Sequence, residues 1–112
     1  MGGEIAPMDP TKTDGPNEWT MLKVLDSYGV RLQGLDPDVL AERIDPSATM
    51  PDIPEGCAHV MWMLEQIPNL DNFNKQMRWV CFIQGVLWQA GSLSVNEAID
   101  HNSGMLAENA NG

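Results

Sequence analysis

Apolar side chains recur at helical spacing through the middle of this chain, which predicts a series of short helices. The first helix is predicted to begin at Asn17, whose side chain suits an N-cap, and to end at either Gly29 or Gly34. Its apolar positions include Trp19, Leu22, Leu25 and Tyr28.

A second, short helix is predicted after Asp36-Pro37, because aspartate is a favoured N-cap and proline is favoured at the first helical position. Asp45-Pro46 should stop it. Its apolar side would contain Val39, Leu40 and Ile44. The three prolines that follow between residues 45 and 54 predict a loop.

Three further helices are predicted in the second half of the chain. The third should run from Pro54 to Ile67, and the fourth from about Asp71 to Ala90, with Gly91 as its left-handed cap. The fifth should be short and end near His101. It opens with a capping box, in which Ser94 and Glu97 each bond a free backbone N–H of the other.

The two ends of the chain carry few large apolar residues and no helical period, so both are predicted to be disordered. The predicted organisation is therefore an acidic tail over residues 1–16, a helical domain over 17–102 and a second tail over 103–112. The fold class is all-α, a small bundle of about four to five helices, and we expect a homodimer.

The third helix and the second half of the fourth are apolar nearly all round, whereas a surface helix in a monomer has one apolar stripe. Either both helices lie in the core, or some of their surface faces another polypeptide, which we favour because the covering helices are short. The expected dimer contacts are Trp62, Trp79, Phe82, Gly85 and Val86. The expected contacts to a partner protein are Leu22, Leu25, Leu93 and Ile99.

Gly85 lies in the middle of the predicted fourth helix, where glycine costs about 1 kcal/mol relative to alanine. A close approach by another backbone would explain it. That backbone could belong to a partner subunit or to the third helix of the same chain.

Charge excludes one class of partner. The chain has 112 residues with 16 acidic and 6 basic side chains, a formal charge of −10. A nucleic acid or an anionic membrane surface needs a basic face, so we expect neither as a partner. The N-terminal residues lack the basic and apolar regions of a secretory signal, and no apolar run is long enough to span a membrane, so we expect a cytoplasmic protein.

No catalytic, cofactor or metal site is predicted. His59 and His101 are far apart in sequence, and neither the HxxxH nor the CxxC spacing of metal ligands occurs. Cys81 and His59 could form a nucleophilic pair, but the apolar neighbours of Cys81 predict a buried and unreactive thiol. We therefore expect a protein that is not an enzyme and needs no cofactor.

The stretch Met77–Trp88 (MRWVCFIQGVLW), followed by Gly91 and the capping box, resembles a pattern in small proteins of pseudomonads and related phages. Within that group the chain is most similar to the quorum-sensing anti-activators of the QslA type. The resemblance implies an all-helical homodimer that binds the ligand-binding domain of a LuxR-type transcription regulator, LasR. Such an inhibitor would cover the surface on which the regulator dimerises, and so block its DNA binding.

A second function remains open at this point. Phage proteins also include acidic mimics of DNA that inhibit nucleic-acid-binding proteins, and a charge of −10 fits that class. Mimicry requires carboxylates regularly spaced on one face, whereas here they are spread over tails, loops and helix starts. We therefore favour the apolar mode of binding.

Overall fold

The computed structural model describes residues 17–49 and 52–111. These residues form four α-helices and a single 3₁₀ turn, and they contain no strand. The all-helical prediction is confirmed. The tail predicted over residues 1–16 lies outside the described residues. The elements in order are α1 (Met21–Leu35), α2 (Ile53–Gln66), the 3₁₀ turn (Ile67–Asn69), α3 (Phe73–Gln89) and α4 (Val95–Asn111).

Side-chain caps fix where the first three helices begin. Thr20, Asp52 and Asn72 each accept a hydrogen bond from the backbone N–H three residues later. Asn17 is therefore not the cap of α1, which starts later and continues past both candidate glycines to Leu35.

Local signals also fix the turn between α3 and α4. Gly91 has a φ of 80°, the left-handed conformation that glycine adopts without strain. The Gly91 N–H bonds the Trp88 carbonyl and the Ser92 N–H bonds the Leu87 carbonyl, which together end α3. The predicted capping box is present, with distances of 2.9 and 3.1 Å between Ser94 and Glu97. α4 therefore folds back along α3.

The helix predicted after Asp36 does not form, and the segment 36–49 consists of turns and irregular backbone. Asp36 instead ends α1, and its carboxylate accepts a hydrogen bond from the Asp38 N–H, so it makes a turn rather than a cap. The N–H groups of Glu42 and Ile44 bond to α2, which holds this segment against that helix.

α4 is much longer than predicted. Residues 103–111, expected as a tail, continue the helix to Asn111. The buried residues of α4 include His101, Gly104 and Met105, whose spacing places them on one face of the helix. Glu108 on the next turn accepts a hydrogen bond of 2.8 Å from the Met21 N–H. The start of α1 therefore holds the end of α4 in the fold.

One apolar core lies between the helices and draws side chains from all four of them. α1 packs against α2 and α4, and α3 packs against α4 and the 3₁₀ turn. The fully buried apolar side chains, all with no more than 1% exposure, are Val24, Tyr28, Leu32, Val60, Ile67, Val80, Ile83, Leu87 and Met105.

Gly104 marks a tight contact that leaves no space for a side chain. A Cβ at this position would overlap the Asn17 Oδ1 and the Trp19 carbonyl oxygen, and would lie 2.7 Å from the Trp19 Cβ. We expect Gly104→Ala to lower the free energy of unfolding by about 1–3 kcal/mol in chemical denaturation, the usual cost of overpacking.

Gly29→Ala is the matched control, because Gly29 also lies within a helix but a Cβ there meets nothing within 4 Å. It should raise the free energy of unfolding by roughly 0.5–1 kcal/mol through helix propensity. Equal effects of the two substitutions would contradict the close contact at Gly104.

Candidate functional site

A groove of about 230 Å³ runs along the surface between α3 and α4. Its volume is below the roughly 300–1,000 Å³ of pockets that enclose a small molecule, so it suits a few side chains of a partner. Most of its wall is apolar, and two amide side chains lie at its base. The groove is lined by Gln84, Gly85, Trp88, Leu93, Ser94, Val95, Ala98, Ile99 and Asn102.

Large apolar side chains on α3 and α4 are exposed to solvent, and two of them, Trp88 and Val95, line this groove. Phe82 is 56% exposed, and Trp88 and Val95 are each 57% exposed. Cys81 and Gly85 are exposed on the same side of α3. We call Cys81, Phe82, Gly85 and Trp88 the α3 face. Leu106 extends the apolar strip along α4, since it follows Val95 and Ile99 at helical spacing and is 48% exposed.

A buried hydrogen-bond network sets the orientation of α3. The Tyr28 hydroxyl on α1 lies 2.8 Å from the His101 Nδ1 on α4, and the Gln84 Nε2 on α3 donates to the same hydroxyl at 2.9 Å. Gln84 also donates to the Asn102 Oδ1 at 2.8 Å. Gln84 is buried, whereas its neighbour Gly85, about 100° further round the helix, is exposed.

Burial defines the protonation states in this network. It raises the pKa of Tyr28 to about 12 and lowers the pKa of His101 below its usual value. The tyrosine therefore keeps its proton, the imidazole is neutral, and the two share a hydrogen bond. Trp19 covers the ring of His101, with the two ring centroids 4.0 Å apart.

An ion pair supports the turn into α4. The Arg31 guanidinium on α1 lies 2.8 Å from the Glu97 carboxylate and also donates to the Ser92 carbonyl. The Arg31 hydrogen bond, together with the Ser94 backbone N–H, lowers the pKa of Glu97 to about 2. This pair holds the Leu93 end of the groove against α1.

The five predicted dimer residues fall into two groups. Trp62, Trp79 and Val86 are only partly exposed and pack against the core, where the rings of Trp62 and Trp79 lie 6.0 Å apart. Phe82 and Gly85 belong to the exposed α3 face. Only the second pair is therefore presented to a neighbouring molecule.

The four predicted partner contacts also separate. Leu25 and Leu93 are 8% and 4% exposed and belong to the core, so this fold does not offer them to a partner. Ile99 lines the groove. Leu22 is 69% exposed, but it lies on α1 beside the similarly exposed Val30 rather than at the groove.

The structure answers two questions that the sequence left open: what approaches Gly85, and whether Cys81 is buried. A Cβ on Gly85 would meet nothing within 4 Å among the described residues, so the helix that contains Trp62 does not approach it and the predicted intramolecular crossing is wrong. Cys81 is exposed, in contrast to the prediction, whereas Cys57 is buried, and both are free thiols.

Sequence reasoning missed the contribution of Trp88 and Val95 to this site. Both follow from the turn at Gly91, which brings the end of α3 beside the start of α4. It also missed the pairing of Tyr28 with His101, which are 73 residues apart and have no local signal.

Within residues 17–49 and 52–111, no group of three or more His, Cys, Asp or Glu side chains is arranged to hold a metal ion. None of the described helices is long and apolar enough to cross a membrane. Comparison with protein-family profiles, with curated proteins and with solved structures found no match to this chain.

The buried His101 predicts that stability falls in mild acid. Its pKa is lower in the folded protein than the usual 6.5, so the unfolded chain binds the proton more readily. We expect the free energy of unfolding to decrease as the pH falls below about 6.5, by up to roughly 1.4 kcal/mol per pH unit. Denaturation at a series of pH values measures this slope.

His101→Gln should remove most of the slope between pH 7.5 and 5, whatever its effect on absolute stability. His59→Gln is the control, since the pKa of His59 is also lowered but its side chain is only half-buried. Glu97 affects the free energy of unfolding in a separate pH range. Because its pKa is lowered, the ionised side chain adds stability that is lost only as the pH falls from about 4.5 toward 2. An unchanged slope in His101→Gln would contradict the neutral, buried imidazole.

Proposed function

We propose that this chain is a helical inhibitor that binds another protein through the α3 face and the adjoining groove. One observation carries this proposal: Phe82, Trp88 and Val95 are all more than half exposed, and Trp88 and Val95 line one groove. Contiguous exposed apolar surface is the usual mark of a protein interaction site, whereas scattered apolar residues are not. Aromatic side chains are also enriched among the residues that dominate binding energy.

The target we propose is the ligand-binding domain of a LuxR-type transcription regulator, LasR. The support is a resemblance in two steps. The stretch Met77–Trp88, which contains the whole α3 face, resembles a pattern in small proteins of pseudomonads and related phages. Within that group, the length and acidity of the chain and its acidic N-terminal segment are most similar to the QslA-type anti-activators. Such regulators act as dimers, so an inhibitor that covers their dimerisation surface prevents DNA binding. This function requires no catalysis and no cofactor, and it operates in the cytoplasm, where the regulator acts.

A homodimer is part of the same proposal. Phe82 and Gly85 are the predicted dimer residues that remain exposed, and both belong to the α3 face. A dimer through this face would cover the groove, so a second copy and the target would compete for one surface. Light scattering on the isolated protein tests the dimer, and a monomer at all concentrations would exclude it.

Phe82→Glu should weaken capture of the LasR ligand-binding domain by about 30-fold, the effect of losing one central aromatic contact. Because Phe82 is 56% exposed, the free energy of unfolding should change by no more than about 0.5 kcal/mol. Titration calorimetry with the purified domain measures the affinity. Leu40→Glu is the control, because Leu40 is 80% exposed, lies in the segment 36–49, and undergoes the same change in charge.

Equal affinities for Phe82→Glu and wild type would reject the α3 face as the binding surface. No binding of the wild type would reject the LasR domain as the target. Binding that weakens steeply with salt but is insensitive to Phe82→Glu would instead favour a mimic of nucleic acid.

A further inference from the structure

Gly85 forms a depression in the centre of an apolar helix face. On α3, Cys81 and Phe82 lie one turn before it and Trp88 lies one turn after it, and all three are exposed. Within the domain there is open space where a Cβ would stand. A missing side chain between exposed residues one turn away leaves a gap into which a side chain of a second helix can insert.

Glycine inside a helix is destabilising relative to alanine, and no contact within this domain requires it at Gly85. Gly29 on α1 has open space as well, but its exposed neighbours one turn away include Asp26 and Gln33, which are polar. The combination of a missing side chain and surrounding apolar groups therefore points to Gly85 as the position of closest approach.

Charge on this surface differs in sign from that of the whole chain. α3 contains Lys75 and Arg78 and no carboxylate, although the chain has a net charge of −10. Lys75 pairs with Asp71, whereas neither ion pair among the described residues includes Arg78. Arg78 is exposed and lies one turn before the α3 face.

The carboxylates of α4 contact α1 and the residues just before it. Glu97 pairs with Arg31, and Asp100 accepts a hydrogen bond from the Asn17 side chain at 3.2 Å. Glu108 accepts from the Met21 N–H. Arg78 is therefore an exposed cation one helical turn from the α3 face, on a helix without carboxylates.

We propose that the α3 face receives an amphipathic α-helix of the partner, with an apolar side chain inserted over Gly85 and a carboxylate directed at Arg78. The inference rests on the proposed binding function and specifies the chemistry of the occupant. It requires that an acidic protein selects an acidic-flanked helix through the exposed Arg78 beside this face. At physiological salt, charges more than about 8 Å away are largely screened.

The test uses three peptides of about 18 residues that share one apolar helical ridge and differ only in flanking residues, which are Glu, Gln or Lys. Fluorescence anisotropy measures their binding to the full chain at physiological salt. Wild type should bind the Glu peptide most tightly. Arg78→Glu should lower the affinity for that peptide by roughly fivefold and raise the affinity for the Lys peptide.

Lys23→Glu is the matched control, since it changes the net charge equally from an exposed position on α1. It should leave the order of the three peptides unchanged. Identical behaviour of Arg78→Glu and Lys23→Glu, or equal binding of all three peptides by wild type, would overturn the proposal. So would a failure of every peptide to bind.

Gly85→Ala tests the inserted side chain separately. It should raise the melting temperature by about 4 °C, because alanine favours the helix. It should also lower the affinity for the Glu peptide by about tenfold, because a methyl group fills the space over Gly85. Gly29→Ala should raise the melting temperature without changing binding. Unaltered affinity in Gly85→Ala would remove Gly85 from the contact.

The outcomes separate this inference from the proposed function. If Phe82→Glu weakens binding of the LasR domain, but Arg78→Glu and Gly85→Ala leave peptide affinity unchanged, the proposed function stands and this inference fails. If the peptides follow the predicted order and the LasR domain does not bind, the inference stands and the proposed target fails.

Discussion

The shared hydrogen bonds of the Tyr28 hydroxyl are the constraint on which the rest of this domain depends. This buried hydroxyl shares a hydrogen bond with His101 and accepts one from Gln84, and so joins α1, α4 and α3 at a single point. A buried polar group without a partner costs roughly 1–3 kcal/mol, so the three helices cannot shift independently. The network therefore specifies one arrangement of helices, beyond what apolar packing alone would select.

This constraint also holds the helix that carries the exposed apolar surface. Gln84 is buried, whereas Phe82, Gly85 and Trp88 on the same helix are exposed. The Gly91 turn places Val95 and Ile99 beside Trp88. Apolar area therefore remains in solvent on a helix whose position is fixed, and a binding partner is the simplest physical reason to retain it.

Elements with complete local signals were predictable from the sequence. The Ser94 and Glu97 capping box and the Gly91 cap are each specified within a few residues. The helix predicted after Asp36 does not form, because an aspartate side chain can bond the backbone in a turn as well as cap a helix. The hydrogen bond from Glu42 to α2 then holds the segment in its irregular conformation. Burial of Leu93 and the continuation of α4 through Met105 depend on distant contacts, which no local pattern contains. For the same reason, Phe82 and Gly85 were identified as interface residues but could not be separated from the half-buried Trp79.

The four tryptophans allow the most direct measurement of the central claim, that the α3 face is the surface a partner covers. Trp88 is more than half exposed, whereas Trp19, Trp62 and Trp79 are partly buried against the core. In a two-dimensional ¹⁵N spectrum, each indole N–H gives its own signal. Titration with the LasR ligand-binding domain should shift or broaden the Trp88 signal and leave the other three nearly unchanged. Binding that leaves Trp88 unperturbed while backbone signals change around Leu22 and Val30 on α1 would contradict the account.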